Sequence, residues 1–270
     1  MTMQGAGKRE TALVTGASGG IGLELARVFA RKGFDLVLVA RRKDALEELA
    51  AHCTREHGAR VEVLPLDLLE PDAPTRLVEH LGANDLAVDV LVNNAGLMEM
   101  GGFDRIEVGK HERLLRLNVL ALTLLTHHLL QPMIARGHGR ILNVASTSAF
   151  QPVPSLALYA ASKAFVLSLS ESLSEELKGT GVTVTALCPG LTRTDMLEHA
   201  QTEHEDARWI PGFLVSDARE VARKGFEACM AGRVIVVPGL PNWLGASLVG
   251  LYPRWLVRNV GGLIGRRSIR

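Results

Sequence analysis

Ser146, Tyr159 and Lys163 are the residues of this chain whose types and spacing suggest chemistry. Tyr159 and Lys163 stand four positions apart in a run of good helix formers from Leu156 to Leu173, so both side chains leave one helix face a turn apart. Ser146 follows the apolar run Ile141 to Ala145, which reads as a buried strand. A phenol, an ammonium and a hydroxyl at a strand end suit carbonyl reduction or alcohol oxidation, because one group can move the proton while another holds the substrate oxygen. A free phenol titrates near pH about 10, and a cation within a few ångströms lowers that by about one to three units. The expectation is that Lys163 brings Tyr159 into working range. The Tyr-Lys pair by itself is matched more often by an ordinary surface pair, so the rest of the chain has to decide.

The elements that must position these groups follow from the hydrophobic pattern. Apolar runs of strand length alternate with helical segments: Ala12 to Thr15, Asp35 to Ala40, Arg60 to Leu64, Val88 to Val92, Arg140 to Ala145, Val182 to Leu187 and Arg233 to Val237. This alternation predicts an α/β fold in one domain, a doubly wound parallel sheet of seven strands with helices on both faces.

The first strand runs into Thr15-Gly-Ala-Ser-Gly-Gly-Ile-Gly22 and then an amphipathic helix. Glycines there let a backbone approach a diphosphate, and the helix N-terminus offers free N–H groups and a favourable dipole. The same residues, Gly16 to Gly20, also match the G-x-S-x-G elbow of α/β-hydrolases, with Ser18 as nucleophile. The extra glycines Gly19 and Gly22 favour the phosphate cradle, and the elbow leaves Tyr159 and Lys163 unexplained.

About twenty residues beyond such a turn an acidic residue takes the adenosine ribose of NAD(H). Here the second strand ends in Arg41-Arg42-Lys43, with Asp35 at the wrong end of the strand. A guanidinium suits a 2'-phosphate, so Arg41 points to NADP(H) over NAD(H), and Lys43 reads as a solvated turn. Asp67, with Leu68, ends the third strand and is placed near the adenine; Asn93-Asn-Ala-Gly96 ends the fourth at the edge where such sheets bind ligands.

A long helix from His111 to about Arg136 carries leucines round most of its circumference, and Asn118 among them. A helix apolar all round needs burial on every side, so this helix and the one bearing Lys163 are expected at a subunit interface. His111-Glu112 begins a zinc-protease pattern, but Leu115 stands where its second histidine belongs, and no metal is expected.

Composition sets the remaining bounds. At 270 residues and 47% hydrophobic content the chain can bury a large core, and a net charge of +1 argues against a nucleic-acid binder. Cys53, Cys188 and Cys229 are far apart and read as reduced, buried thiols. The polar first ten residues fit no signal peptide, so a cytoplasmic protein is expected.

Together these motifs resemble the short-chain dehydrogenase/reductase family over roughly residues 11 to 236: the glycine-rich turn, Asn93-Asn-Ala-Gly96, Asn118, Ser146, Tyr159-x-x-x-Lys163 and Pro189-Gly190 followed by Thr194. Ala145 departs from the pattern of many members, which carry a second serine there. The resemblance implies a Rossmann-like oxidoreductase of the EC 1.1.1 kind. In it Tyr159 is the acid/base, Ser146 orients the carbonyl, Lys163 tunes Tyr159 and binds the nicotinamide ribose, and Asn118 holds a relay water. It also implies a cofactor site of Gly16, Ser18, Gly19, Gly20, Ile21, Gly22, Asn94, Ala95, Gly96, Pro189, Gly190, Thr192 and Thr194, besides Arg41, Asp67 and Leu68. The helix that is apolar all round makes a homodimer or homotetramer the expectation.

Residues 1–240 then form the cofactor-binding and catalytic domain, with a substrate lid at about 195–215; Met98, Phe150, Met196, Trp209 and Phe213 are candidates for an apolar pocket. Residues 241–270 are a basic amphipathic extension: no acidic residue follows Glu227, whereas Arg233, Arg254, Arg258, Arg266, Arg267 and Arg270 do. Such a tail contacts an anionic membrane surface, closes an apolar pocket or packs on a second subunit. The first two favour a lipophilic carbonyl, such as an acyl, steroid or other lipid. The competing functions are NAD-dependent alcohol oxidation, a hydrolase using Ser18, and a nucleotide-binding scaffold without turnover.

Overall fold

The computed structural model describes residues 9–203, 215–249, 252–253 and 255–259. Seven strands form one sheet: β1 (Thr11–Thr15), β2 (Asp35–Ala40), β3 (Val61–Pro65), β4 (Val90–Asn93), β5 (Gly139–Val144), β6 (Val182–Leu187) and β7 (Ile235–Val236). Their order is β3-β2-β1-β4-β5-β6-β7 with every pairing parallel. The chain reverses its direction of travel across the sheet between β1 and β4, which opens a crevice beyond the carboxyl ends of those two strands.

Successive side chains on a strand point to opposite faces. Ala12 and Val14 of β1 accordingly pack with α1 (Gly20–Arg31), α2 (Lys43–His57) and α8 (Ala218–Met230). Leu13 faces the other way, into a second core with α3 (Ala73–Ala83), α5 (Leu122–Arg136) and the end of α6 (Ala157–Glu176). Burial on both faces is why the strands read as continuous apolar runs. The fold is the Rossmann-like arrangement expected from the alternation. Only β7 is much shorter than its sequence signal.

The long leucine-rich helix differs from its expectation. It begins at α4 (Val108–Leu115), passes through a π-helical turn, Arg116–Ala121, and continues as α5. Over Val108–Arg136 it is long and apolar enough to cross a membrane by composition, yet Leu125, Leu129 and Met133 are buried against the sheet. Its burial is one-sided: Leu115 and Leu120 are exposed on the single chain, as is Phe165 of α6.

Candidate active site

The glycine-rich turn is held by residues from the end of β4. Thr15 Oγ1 donates to the Val92 carbonyl and accepts from the backbone N–H groups of Asn94 and Ala95 at 2.9 and 3.1 Å. Asn94 Nδ2 donates to the carbonyls of Thr15 and Gly16. Gly16 adopts φ +66°, and a Cβ there would stand 2.8 Å from Asn94 Nδ2 and 2.9 Å from Ala95 Cα. A Cβ on Gly22 would collide with Asn94 Nδ2 and the Gly16 carbonyl. The turn delivers the chain to Gly20 with no side chain capping α1, so the first N–H groups of that helix face the cleft unpartnered by a side chain. These features fit the diphosphate of a dinucleotide, which needs close backbone approach and free helix-terminal donors. Asn94 borders the cleft but uses its amide to brace the turn. Asn93 points into the core instead, donating to Thr126 Oγ1 and Asn143 Oδ1, both at 2.9 Å.

The cleft has two adjoining parts, each of about 550 Å³. The first lies over the ends of β2 and β3 and is lined by Arg41, Arg42, Asp67 and Leu68 among others. Asp35 sits at the start of β2, paired with Arg60 at 2.9 Å, away from this end. Sequence reasoning singled out Arg41, whereas Arg42 is the guanidinium in contact with the glycine-rich turn. Its Nη2 donates to the Ser18 carbonyl at 2.6 Å and meets the Asp195 carboxylate at 3.4 Å. Arg42 and Asp195 were both missed. Arg42 stood in the basic cluster, but only the bend from β2 into α2 reveals which arginine turns back over Ser18. Lys43 pairs with Glu47 on the exposed face of α2, as expected of a solvated position.

The second part of the cleft gathers Ser146, Tyr159 and Lys163 with Gly16, Gly96 and Gly190. Tyr159 and Lys163 lie on α6, and Ser146 caps a short 3₁₀ turn, Thr147–Phe150, beyond β5. Ser146 Oγ accepts from the Ser148 backbone N–H at 3.1 Å, so its own hydrogen is available to donate. Lys163 is 5% exposed, and its Nζ donates to the Val144 carbonyl at 2.8 Å while lying 5.7 Å from the Tyr159 ring centre.

The electrostatics correct the expected tuning. Burial pushes the Tyr159 phenol above its ordinary value, and a hydrogen bond with Ser146 acts the other way. Lys163 is instead the group brought towards neutrality, lowered by burial to about 8. Its Nζ donates one hydrogen to the Val144 carbonyl. Cys188, behind Lys163, is pushed up by burial to about 12 and stays a thiol; all three cysteines are buried and unbridged.

Asn118 lies in the π-helical turn, and its side chain pairs with Leu97 in both directions: Oδ1 accepts from the Leu97 N–H at 2.8 Å and Nδ2 donates to the Leu97 carbonyl at 2.9 Å. Nδ2 also donates to Ser162 Oγ, which donates to the Tyr159 carbonyl at 2.7 Å. Asn118 therefore ties the strand end at Gly96 to the helix that carries Tyr159. A Cβ on Gly96 would come within 3.3 Å of Asn118 Oδ1 and 3.5 Å of Lys163 Nζ. Single π turns recur at functional positions inside helices.

Pro189, Gly190, Thr192 and Thr194 form the far wall. Thr194 approaches Gly20 and precedes α7 (Asp195–Glu203), the start of the expected lid. Met98 and Met196 border the cleft, but Phe150 does not; Trp209 and Phe213 lie outside the described residues. Among the described residues no histidine lines either part of the cleft, which leaves the hydrolase reading of Ser18 without a described base, and the hydroxyl faces Arg42 Nε at 3.4 Å.

Known proteins resemble this chain in sequence and fold. The family profile described as short chain dehydrogenase matches residues 10–205. A 7beta-hydroxysteroid dehydrogenase of Clostridium sardiniense is 37% identical over 215 residues, which is 80% of each chain. A short-chain dehydrogenase from Sphingobium yanoikuyae, solved in complex with NADPH, superposes with a TM-score of 0.79 at 36% identity, covering 90% of this chain and 94% of the other. A bulky-bulky ketone specific alcohol dehydrogenase from Comamonas testosteroni gives 0.76 at 32% identity, with 91% and 94% covered.

Proposed function

The chain belongs to the short-chain dehydrogenase family of oxidoreductases, and from that premise we propose that it transfers a hydride between NADP(H) and a carbonyl or secondary alcohol, with Tyr159 as acid and base. The observation that carries this reading is the convergence of Ser146, Tyr159 and Lys163 in one cleft with the glycine-rich turn. NADP(H), when bound, supplies or accepts the hydride.

The protein's part is orientation and the proton. The turn Gly16 to Gly22 and the N-terminus of α1 would hold the diphosphate, Arg42 with Arg41 would hold the 2'-phosphate, and Asp67 and Leu68 would meet the adenine. Lys163 and the segment Pro189 to Thr194, which line the same part of the cleft as Tyr159, would meet the nicotinamide end. Ser146 Oγ donates to the substrate oxygen and fixes it against the Tyr159 hydroxyl, which gives its proton as the carbonyl is reduced and takes it back in alcohol oxidation. The raised phenol suits the acid role, since it is protonated at neutral pH. Both donors of the Asn118 amide are engaged, so a relay water falls to its remaining Oδ1 lone pair or its backbone carbonyl.

A lipophilic ketone or alcohol is the proposed substrate. Support comes from the apolar rim of Met98, Met196, Leu191 and Val153, from the steroid named for the Clostridium relative, and from the bulky ketones named for the Comamonas enzyme. The exposed Leu115, Leu120 and Phe165 support a homodimer or homotetramer built on α4, the π-helical turn and α6. The decisive experiment is Tyr159→Phe, followed by ketone turnover and by NADPH titration through cofactor fluorescence. Turnover should fall by at least about a hundredfold with NADPH affinity retained; full turnover would overturn the mechanism.

A further inference from the structure

We infer that α9 (Leu240–Val249) docks on an anionic lipid bilayer, with its outer face, Tyr252 and Trp255 entering the interface and Arg258 contacting lipid headgroups. The helix has two unlike faces. At 100° per residue Leu240, Leu244 and Leu248 make one stripe with Trp243 beside it, and Asn242 lies almost opposite. Asn242 is the inner residue: its side chain packs on Gly190, where a Cβ would come within 2.5 Å, and its Nδ2 donates to the Pro238 carbonyl. The stripe is outer, and all four of its side chains are exposed, Leu240 at 70%.

Two further observations say what covers that stripe. The chain has three tryptophans and two tyrosines, and three of those five are exposed here: Trp243 at 51%, Tyr252 at 53% and Trp255 at 58%. Tryptophan and tyrosine are the side chains that settle at a bilayer interface, with one end in hydrocarbon and one in the headgroups. The charge pattern agrees. No charged residue occurs from Val234 to Pro253, no acidic residue after Glu227, and six arginines fall after that point. Arginines bracketing an uncharged apolar helix complement anionic headgroups, each contributing to attraction at the surface.

A second copy of the chain fits less well. A two-fold contact brings one patch against itself, so the exposed Arg258 would approach its own like charge, with no acidic residue after Glu227 to answer it. The inner face of α9 already rests on the cleft wall at Gly190, so the outer stripe is not the wall of the cleft. Docking through it would set the cleft mouth close to the bilayer, where a lipophilic substrate is concentrated. That last consequence rests on the proposed substrate class; the docking does not.

The test is co-sedimentation of the purified full-length protein with phosphatidylcholine vesicles, with and without phosphatidylglycerol, at low and high salt. The protein should sediment with the anionic vesicles at low salt, be released at high salt, and remain in solution with phosphatidylcholine alone. Leu244→Gln with Leu248→Gln, and separately Arg258→Glu, should each lower the vesicle-bound fraction by about tenfold. Turnover of a small water-soluble ketone should be unchanged in both variants. Failure of the wild-type protein to bind anionic vesicles, or equal binding by the variants, overturns the proposal. So does a loss of soluble-ketone turnover in the variants, which makes the stripe a pocket wall, or a drop in their mass by light scattering, which makes it a subunit contact.

Discussion

Arg42 and Asp195 meet across the mouth of the cleft, the Arg42 guanidinium lying 3.4 Å from the Asp195 carboxylate while it holds the Ser18 carbonyl at 2.6 Å. Asp195 opens α7, so one arginine joins the glycine-rich turn to the first helix of the expected lid. The carboxylate occupies the guanidinium that the proposed 2'-phosphate requires. Removing it with Asp195→Asn should tighten NADPH by about two- to fivefold, the worth of an exposed ion pair. NADH should change less. Arg42→Leu should weaken NADPH by about tenfold or more, as expected for loss of a charge-assisted bond, and leave NADH near its original affinity. Fluorescence titration with both cofactors checks each variant, and an equal response of the two cofactors to Arg42→Leu would remove this arginine from phosphate recognition.

The Tyr159 phenol can be read directly, because the chain has only one other tyrosine, Tyr252. In a Tyr252→Phe background, ultraviolet titration of the cofactor-free protein should show phenolate forming above the ordinary value of 10.0, as burial dictates. Titration below that value would mean that Lys163 dominates the phenol after all.

Lys163 makes stability depend on pH. Its folded value of about 8 lies below the ordinary 10.5, so between those pH values the unfolded chain binds more protons and stability rises with pH. Below pH about 8 the full penalty applies, on the order of 3 kcal/mol. In Lys163→Met this titration is absent. Urea denaturation of both proteins should therefore show the wild type gaining stability relative to the variant from pH 8 towards pH 10. Parallel pH profiles would contradict the burial of a charged ammonium.

The glycines divide into those that admit a methyl group and those that do not. Gly22→Ala forces its Cβ onto Asn94 and the Gly16 carbonyl, and should lower stability by about 1–3 kcal/mol and abolish cofactor binding. Gly82 lies in α3 with nothing near its missing Cβ. Gly82→Ala should be neutral or stabilising by up to about 1 kcal/mol. Thermal melts with and without NADPH separate the two.

Much of this protein was legible in one dimension because the determining interactions are local or periodic. Strand-length apolar runs alternating with helices sufficed for a parallel sheet, since burial on both faces leaves no other composition. The four-residue spacing of Tyr159 and Lys163 sufficed to place them on one helix face. Glycines at 16 and 22 marked a turn that no Cβ could enter. The tertiary structure decided what depends on direction and depth. It chose Arg42 over Arg41 as the guanidinium on the glycine-rich turn, because the bend between β2 and α2 aims that side chain and composition does not. It turned Asn93 into the core and Asn94 onto the turn, since adjacent residues at a strand end point opposite ways. It broke the long helix with a π turn at Asn118, where the amide pairs with Leu97, a residue distant in sequence. And it reversed the expected electrostatics of Tyr159 and Lys163. Their types and spacing imply a cation lowering a phenol, but burial raises the one and lowers the other, and burial is a property of the packed chain alone.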